Sequence, residues 1–440
     1  MIRRFICLGL TFLICFWCCG CDFLTADTAE LLSPPSLSGD LKPIAEAIDN
    51  SVESPYVFKY PSRGDYRSAV IRKDINNDGL QEAFALYSTT DGETVTMNLN
   101  FICLVDGSWE SVSNQQLVAG GVDKIEFCDL DDDGVKELLV GWEIYGVSEM
   151  QLAVYSLTDN SLTQRMLKRY THFTTCNLNE DEKQEILLIN ANTAESINTA
   201  ALYSLAKDGM TELSSCELDS AAKTINPPLI ATLSSGKTAV YIDEIKGVGA
   251  ITEVLFVEKG KLVNPLFVTD SRETVATLRS ANFATADMNS DGIPEIPVQK
   301  DVPSVTHSQL NEKLYLTEWC TFNGVTLTTQ KTTMINVNDG FMFTIPPKWV
   351  NNIAVLKDTD KRIREVYSYN TEQMIVGESL IYLKAIDKSD WEKENYKSQG
   401  FEKITNSENT LFICKISQAA VKEGITLDSV KKSFKLFEQE

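Results

Sequence analysis

The sequence predicts a mainly β fold: a five-bladed β-propeller followed by a small α+β sandwich domain. Three observations in the 440 residues carry that reading. An acidic nine-residue pattern recurs through the middle of the chain with a period near 55 residues. Each copy stands between short β-like runs bounded by Gly, Asp and Asn turn signals. Helical periodicity is nearly absent between residues 60 and 330 and returns only near the C-terminus. The composition, 43% hydrophobic and 23% charged, is globular enough for two or three cored domains and excludes a mostly disordered chain. Forty Lys and Arg stand against 62 Asp and Glu, a net charge of −22. Such a chain repels nucleic acid and anionic lipid headgroups, so nucleic acid is excluded as a partner.

The first element is an address. Arg3 and Arg4 form a short basic region, and Phe5 to Trp17 is an apolar run too short to span a bilayer core of ~30 Å. Cys18-Cys19-Gly20-Cys21 follows. This resembles the lipobox of bacterial lipoproteins, which implies that Cys21 is lipidated and becomes the mature N-terminus. Cys18 departs from the Leu usual at that place. Residues 1–21 are thus expected to be a signal peptide ending in a lipidated cysteine, and 22–54 a tether and lead-in. The expected location is the outer face of a bacterial cell membrane, held by lipid. One acyl chain holds only marginally, and a diacylglyceryl cysteine supplies at least two. Loss of residues 1–20 leaves 38 basic against 62 acidic residues, or −24. Five of the 11 cysteines lie at or before Cys21. The other six contain no CxxC pair and read as small buried thiols.

The repeats come next. DINNDGLQE begins at Asp74, DLDDDGVKE at Asp129, NLNEDEKQE at Asn177 and DMNSDGIPE at Asp287. The last gap is two periods long, which predicts a degenerate copy near residue 231. There Ala231, Leu233 and Ser235 stand at the acidic positions, Gly236 keeps the glycine, and TAVYI follows. β-like runs lead into the acidic loops (SAVIRK, KIEFC, HFTTC, NFATA) and out of them (EAFALY, ELLVGW, EILLIN). Further runs follow, giving roughly four strands per ~50 residues, the pattern of a propeller blade. Residues 55–334 are assigned to this propeller.

The loops resemble the FG-GAP/VCBS family of β-propeller repeats. Their chemistry also follows from spacing. In D-x-D-x-D-G-x-x-E, side-chain oxygens at positions 1, 3 and 5 converge on one point. Position 7 adds a backbone carbonyl and position 9 a carboxylate, a set suited to calcium with its 6–8 oxygens at 2.3–2.6 Å. An EF-hand instead places its Glu at position 12, before a helix. The expected ligands are Asp129, Asp131, Asp133, Val135 and Glu137 in one loop. They are Asp74, Asn76, Asp78, Leu80 and Glu82 in another, and Asp287, Asn289, Asp291, Ile293 and Glu295 in a third. Asn177, Asn179, Asp181 and Glu185 make a weak fourth set, in which Glu182 replaces the glycine. Carboxylate counts of four, three, three and two rank the 129 loop first and the 177 loop last. Without an ion, the same side chains would simply cap tight turns.

Residues 335–440 are expected to form the α+β domain. GFMFTIPPKW reads as a strand with a Pro-Pro turn, and REVYSYN, SLIYLKAI and LFICKI as strands. DKSDWEKENYKSQG reads as a helix capped by Ser389 or Asp390 and stopped at Gly400. TLDSVKKSFKLF reads as a second helix, capped by Thr426, with Leu427, Val430, Phe434 and Phe437 on one face. The order resembles PsbP-like domains. Trp349, Trp391 and Phe341 read as core.

No GxSxG elbow, P-loop or HExxH is present. The two histidines, His172 and His307, have no recognisable catalytic neighbours. The expected function is a non-enzymatic, calcium-stabilised binding or scaffolding module for an envelope protein or glycan. The alternatives are a hydrolase or lyase acting on envelope polymers, and a passive assembly factor.

Overall fold

The computed structural model describes residues 39–191, 197–280, 283–305 and 314–437. Cys21, the whole signal region and His307 lie outside them. The chain divides into two compact units. One runs to Ile125 and includes Leu157–Thr163; the other holds Glu126–Ser156 and Gln164 onward.

The first unit opens with a helix absent from the expectations, α1 (Lys42–Ser51). Pro43 sits in its first turn, where a missing N–H costs nothing. Its Ile44, Ala47 and Ile48 bury against Val70, Ala83, Ala85, Tyr87 and Ile102. Strands β1 (Tyr56–Phe58), β2 (Val70–Lys73), β3 (Glu82–Asp91), β4 (Thr94–Val105) and β5 (Ser108–Val118) make an antiparallel sheet in the order β1-β3-β4-β5. β2 shares the β1 edge of β3, pairing with its first half.

Four-stranded sheets then follow in chain order. β6 (Gly121–Cys128), β7 (Glu137–Glu143), β8 (Met150–Thr158) and β9 (Ser161–Tyr170) form one. β10 (His172–Cys176), β11 (Glu185–Asn190), β12 (Thr199–Ala206) and β13 (Gly209–Glu217) form the next. β14 (Ala222–Ile225) and β15 (Leu229–Thr232) share one edge of β16 (Thr238–Lys246), which pairs with β17 (Gly249–Glu258), and that with β18 (Lys261–Val263). The degenerate copy therefore keeps its hairpin: Thr232 pairs with Thr238, and Gly236 at φ 94° turns the chain. Leu233 is wholly buried at a former acidic position, packed with Tyr241, Phe256 and Phe322.

Burial explains the sequence pattern within each sheet. Glu137–Trp142 and Glu185–Ile189 are buried at every position, so ELLVGW and EILLIN read as continuous apolar runs. β13, farther from the loop-bearing strands, contains no fully buried position. Asp106-Gly107, Asp159-Asn160 and Lys259-Gly260 take positive φ at both central positions of two-residue hairpins, matching the twist of the flanking strands.

A two-stranded ribbon, β19 (Phe267–Val268) with β20 (Glu273–Thr274), precedes the last repeat. The described part of the expected NFATA run, residues 283–286, forms no strand: Ala286 makes only an isolated bridge to Glu295. Its neighbour Thr285 is instead drawn to Asp243, through its N–H at 2.7 Å and its hydroxyl at 2.9 Å.

β21 (Ile296–Val302), β22 (Leu314–Phe322), β23 (Leu327–Asn336) and β24 (Phe341–Thr344) continue as one sheet. The boundary expected at 334/335 falls inside β23, and β24 extends the same sheet. β25 (Ile353–Asp358), β26 (Ile363–Asn370), β27 (Ile375–Asp387), β28 (Glu402–Asn406) and β29 (Thr410–Ile416) form the final sheet, in the order β25-β26-β27-β29-β28.

Both expected C-terminal helices are shorter than predicted. The first is only α2 (Asp390–Lys393), and Ser389 makes no capping bond. Asn395 takes φ 51°, which ends the helix, and Tyr396 folds back to stack on Trp391. Gly400 does end that segment, at φ 86°. After α3 (Gln418–Lys422) comes α4 (Leu427–Ser433). Thr426 caps α4 in a reciprocal box with Ser429. The helix stops there because Phe434–Leu436 become β30, paired with β24, and Phe434 stacks on Phe341. Phe434 and Phe437 therefore lie outside the helix. Trp349, Trp391 and Phe341 are buried, as expected of core residues.

Candidate functional site

The four acidic loops are built alike. Position 4 takes the left-handed conformation in each: Asn77, Asp132, Glu180 and Ser290 have φ between 57° and 66°. In three loops position 6 is glycine at φ 85–87°. A φ in that range is one that side chains adopt only under strain, which accounts for the glycine. In the 177 loop Glu182 has no such φ, and the Asn177 amide closes on the Asp181 carbonyl instead.

A common hydrogen-bond scheme follows. At position 1, Asp74, Asp129 and Asp287 each accept from the glycine N–H at 2.8–3.0 Å. The position-5 residues Asp78, Asp133, Asp181 and Asp291 each accept from the N–H at position 7, at 2.8 Å. Leu80, Val135 and Ile293 supply that N–H in the three glycine loops. The position-9 residues Glu82, Glu137, Glu185 and Glu295 are all nearly buried and each accepts from the N–H at position 2. The glutamate thus ties the loop to the strand that it opens.

What separates the loops is the oxygen left over. In the 129 loop, oxygens of Asp129, Asp131 and Glu137 all lie within 4.8 Å of one another. Two ligands of one calcium ion lie no more than about 5 Å apart, so this set can hold a divalent cation. Among the described residues, no other trio of His, Cys, Asp or Glu meets that limit. Oδ1 of Asp129 and Oδ1 of Asp131 are buried without a hydrogen-bond partner. Burial, with help from Asp131 and Asp133, pushes the Glu137 carboxyl up to about 7. Burial and then the Asp133 and Asp129 charges raise Asp131, while Lys183 of the neighbouring loop partly offsets them.

Asn at position 3 changes this. The Asn289 amide donates to Asp291 at 3.0 Å and to Glu295 at 2.8 Å. Asn76 donates to Asp78 at 3.0 Å, and Asn179 to Glu185 at 2.9 Å. An amide N–H can satisfy neighbouring acceptors from within the loop; an ionised carboxylate at that position only accepts. The 74 and 287 loops, equal by charge count, also differ from each other. Asp74 keeps a buried, unpartnered Oδ1. Asp287 accepts four backbone N–H groups, led by that of Gly292, which hold it below the ordinary carboxylate range.

The loops also bind their neighbours. Glu180 accepts from the Thr238 N–H of the degenerate hairpin at 2.9 Å, and Ser234 N–H donates to the Phe322 carbonyl at 3.0 Å. Cys128 and Cys176 precede two of the loops. Burial pushes their thiols up to about 11 and about 12, which leaves them inert at neutral pH. Six thiols, Cys103, Cys128, Cys176, Cys216, Cys320 and Cys414, are free. His172 lies in β10, paired with Ile189. No described helix is long and apolar enough to cross a membrane.

Two buried polar clusters escaped the sequence reading, one around Asp243 and Arg279, the other around Asp219, Glu244 and Glu253. Their signal was DEIK inside an otherwise apolar strand.

No protein-family model and no curated protein matches the chain. Among solved structures it is similar to the exotype rhamnogalacturonan lyase YesX, at 11% identity and TM-score 0.32 over 73% of this chain and 83% of that one. It is also similar to the Pseudomonas aeruginosa periplasmic gluconolactonase PpgL, at 11% identity and TM-score 0.28 over 73% and 86%. A third is the Dos1 propeller, at 9% identity and TM-score 0.28 over 78% and 81%. These structural neighbours are β-propeller-like, as this chain is mainly β; at such scores they say nothing of its chemistry.

Proposed function

We propose that this chain is a lipid-anchored envelope protein whose five repeated sheets, over residues 55–334, close as a calcium-clamped β-propeller of the FG-GAP/VCBS kind. In this reading the propeller binds an envelope protein or glycan and performs no catalysis. The observation that carries it is the 129 loop, where three carboxylates converge and two buried oxygens lack any donor. Asp129, Asp131, Asp133 and Glu137 would hold the ion, which would bind the hairpin ends together. Asp74 and its loop would make a second site.

The role is tested by passing solubilised envelope and a glycan panel over the immobilised protein. Retention in calcium and release in chelator is the expected result. Turnover of a glycan or peptidoglycan substrate would replace binding with a hydrolase or lyase activity. The anchor is tested separately. Cys21→Ser is expected to move the processed chain from the membrane to the soluble fraction. A processed mutant that stays membrane-bound would end the lipoprotein reading.

A further inference from the structure

Glu244 in β16 and Glu253 in β17 lie diagonally on one face of their antiparallel pair, since Glu244 opposes Ile251 and Ile242 opposes Glu253. Both are wholly buried. Glu253 has donors at both oxygens and one acceptor place left on Oε2. Its Oε1 accepts from the Thr274 hydroxyl and the Asn264 amide, each at 2.7 Å, and its Oε2 accepts from the Asp219 N–H at 3.1 Å. Glu244 receives no donor at either oxygen.

The surrounding charges offer Glu244 no relief. Lys246 is taken by Asp219 at 2.7 Å and by Glu273 of β20 at 3.3 Å. Arg279 is taken by Asp243 at 2.9 Å. Cys216 of β13, facing Glu253, is neutral, its thiol pushed up to about 12 by burial. Glu244, Glu253 and Asp219 do not come within ion-sharing distance as a trio. A proton is the remaining means of satisfying Glu244, and it lets that carboxyl donate to Glu253.

We infer that Glu244 and Glu253 share one proton, and that this acid pair is a pH-sensitive latch for the strap formed by residues 264–280. The strap is fastened through the pair and beside it. Thr274 N–H donates to Asp219 at 2.8 Å while its hydroxyl holds Glu253. The Thr277 hydroxyl accepts from Thr252 N–H at 2.9 Å and donates to the Thr252 carbonyl at 2.7 Å. Arg279 and Ala250 exchange backbone bonds. Losing the shared proton places two carboxylates together in a buried site and loosens the Glu253 end of the strap.

The sign follows from linkage. Burial holds Glu244 well above its ordinary value and raises Glu253 as well. The unfolded glutamate titrates near ~4.3. The stabilisation is therefore complete below that value and is lost as pH rises toward the folded-state value.

The test uses the mature protein at one fixed calcium concentration. Hydrogen exchange of residues 264–280, referenced to intrinsic rates, is compared at pH 5 and pH 8. Protection confined to the strap should fall at pH 8. Glu244→Gln keeps a permanent donor to Glu253. It should abolish that fall and raise the melting temperature over the parent by roughly 2 °C or more at pH 8, with no gain at pH 5. Equal strap protection at both pH values overturns the inference, and needs no variant to fold. A Glu244→Gln shift that is the same at pH 5 and pH 8 overturns it too.

Discussion

Asp131→Ala is expected to lower the melting temperature by about 5 °C in millimolar calcium and to change it far less in chelator. A ligand held only by the folded state stabilises it by RT ln(1 + [L]/Kd), or ~2.7 kcal/mol at a hundredfold excess over Kd. Asp131 is the position-3 carboxylate whose buried Oδ1 has no donor. Its removal takes a ligand from the ion-bound state, yet relieves repulsion among Asp129, Asp133 and Glu137 when no ion is bound. Asn179→Ala should shift the melting temperature only modestly and by the same amount in both buffers, because what it removes is a bond to Glu185 that needs no ion. The decisive readout is a set of three thermal melts in two buffers. Equal shifts for Asp131→Ala in calcium and in chelator would make the loop an ion-free Asx turn. The hydrogen bonds at position 1 add a finer ranking. Asp74→Ala should weaken calcium binding more than Asp287→Ala, since the four backbone donors on Asp287 already occupy its oxygens.

Arg279→Met is expected to cost about 3–5 kcal/mol, the penalty for stripping a buried ion pair of one partner. Arg279 is 4% exposed, and its guanidinium serves Asp243, Thr252, the Thr277 carbonyl and the Phe283 carbonyl. Without it Asp243 keeps Thr252 and Thr285 as donors but loses its counter-charge. Adding Asp243→Asn to Arg279→Met should recover part of the loss, because the stranded charge is then gone. Lys42→Ala, which removes an exposed surface pair with Glu46, serves as the near-neutral control. Urea midpoints of the four proteins decide the matter. A loss below ~1 kcal/mol for Arg279→Met, or no recovery in the double variant, would mean that the pair does not hold the strap.

Much of the architecture was legible in the sequence because its signals are local. A buried strand must be apolar along its length, so ELLVGW and EILLIN announce themselves. A two-residue hairpin needs positive φ, so Asp-Gly and Asp-Asn mark the turns. In each loop the position-5 and position-9 carboxylates cap the N–H groups of positions 7 and 2, so the four loops share one spacing. Even the degenerate unit was visible, since Gly236 and the following strand survive the loss of every carboxylate.

Other features depend on partners distant in sequence. The segment after Thr426 has helical spacing through Phe437, yet β24 captures Phe434–Leu436 as a strand, because pairing and aromatic stacking outweigh local propensity. NFATA has strand-like composition, but Asp243 draws Thr285 away. Two loops of equal charge differ because four backbone N–H groups reach Asp287 and leave one oxygen of Asp74 bare. The buried carboxyl pair of β16 and β17 depends on strand register and on a strap that returns from residues 264–280. By itself the sequence determined the repeat, the buried strands that lead out of its acidic loops and the spacing of the loop carboxylates, since each is written within about ten residues. Only the tertiary structure decided which carboxylates remain unsatisfied, because that depends on which donors the rest of the fold brings to them.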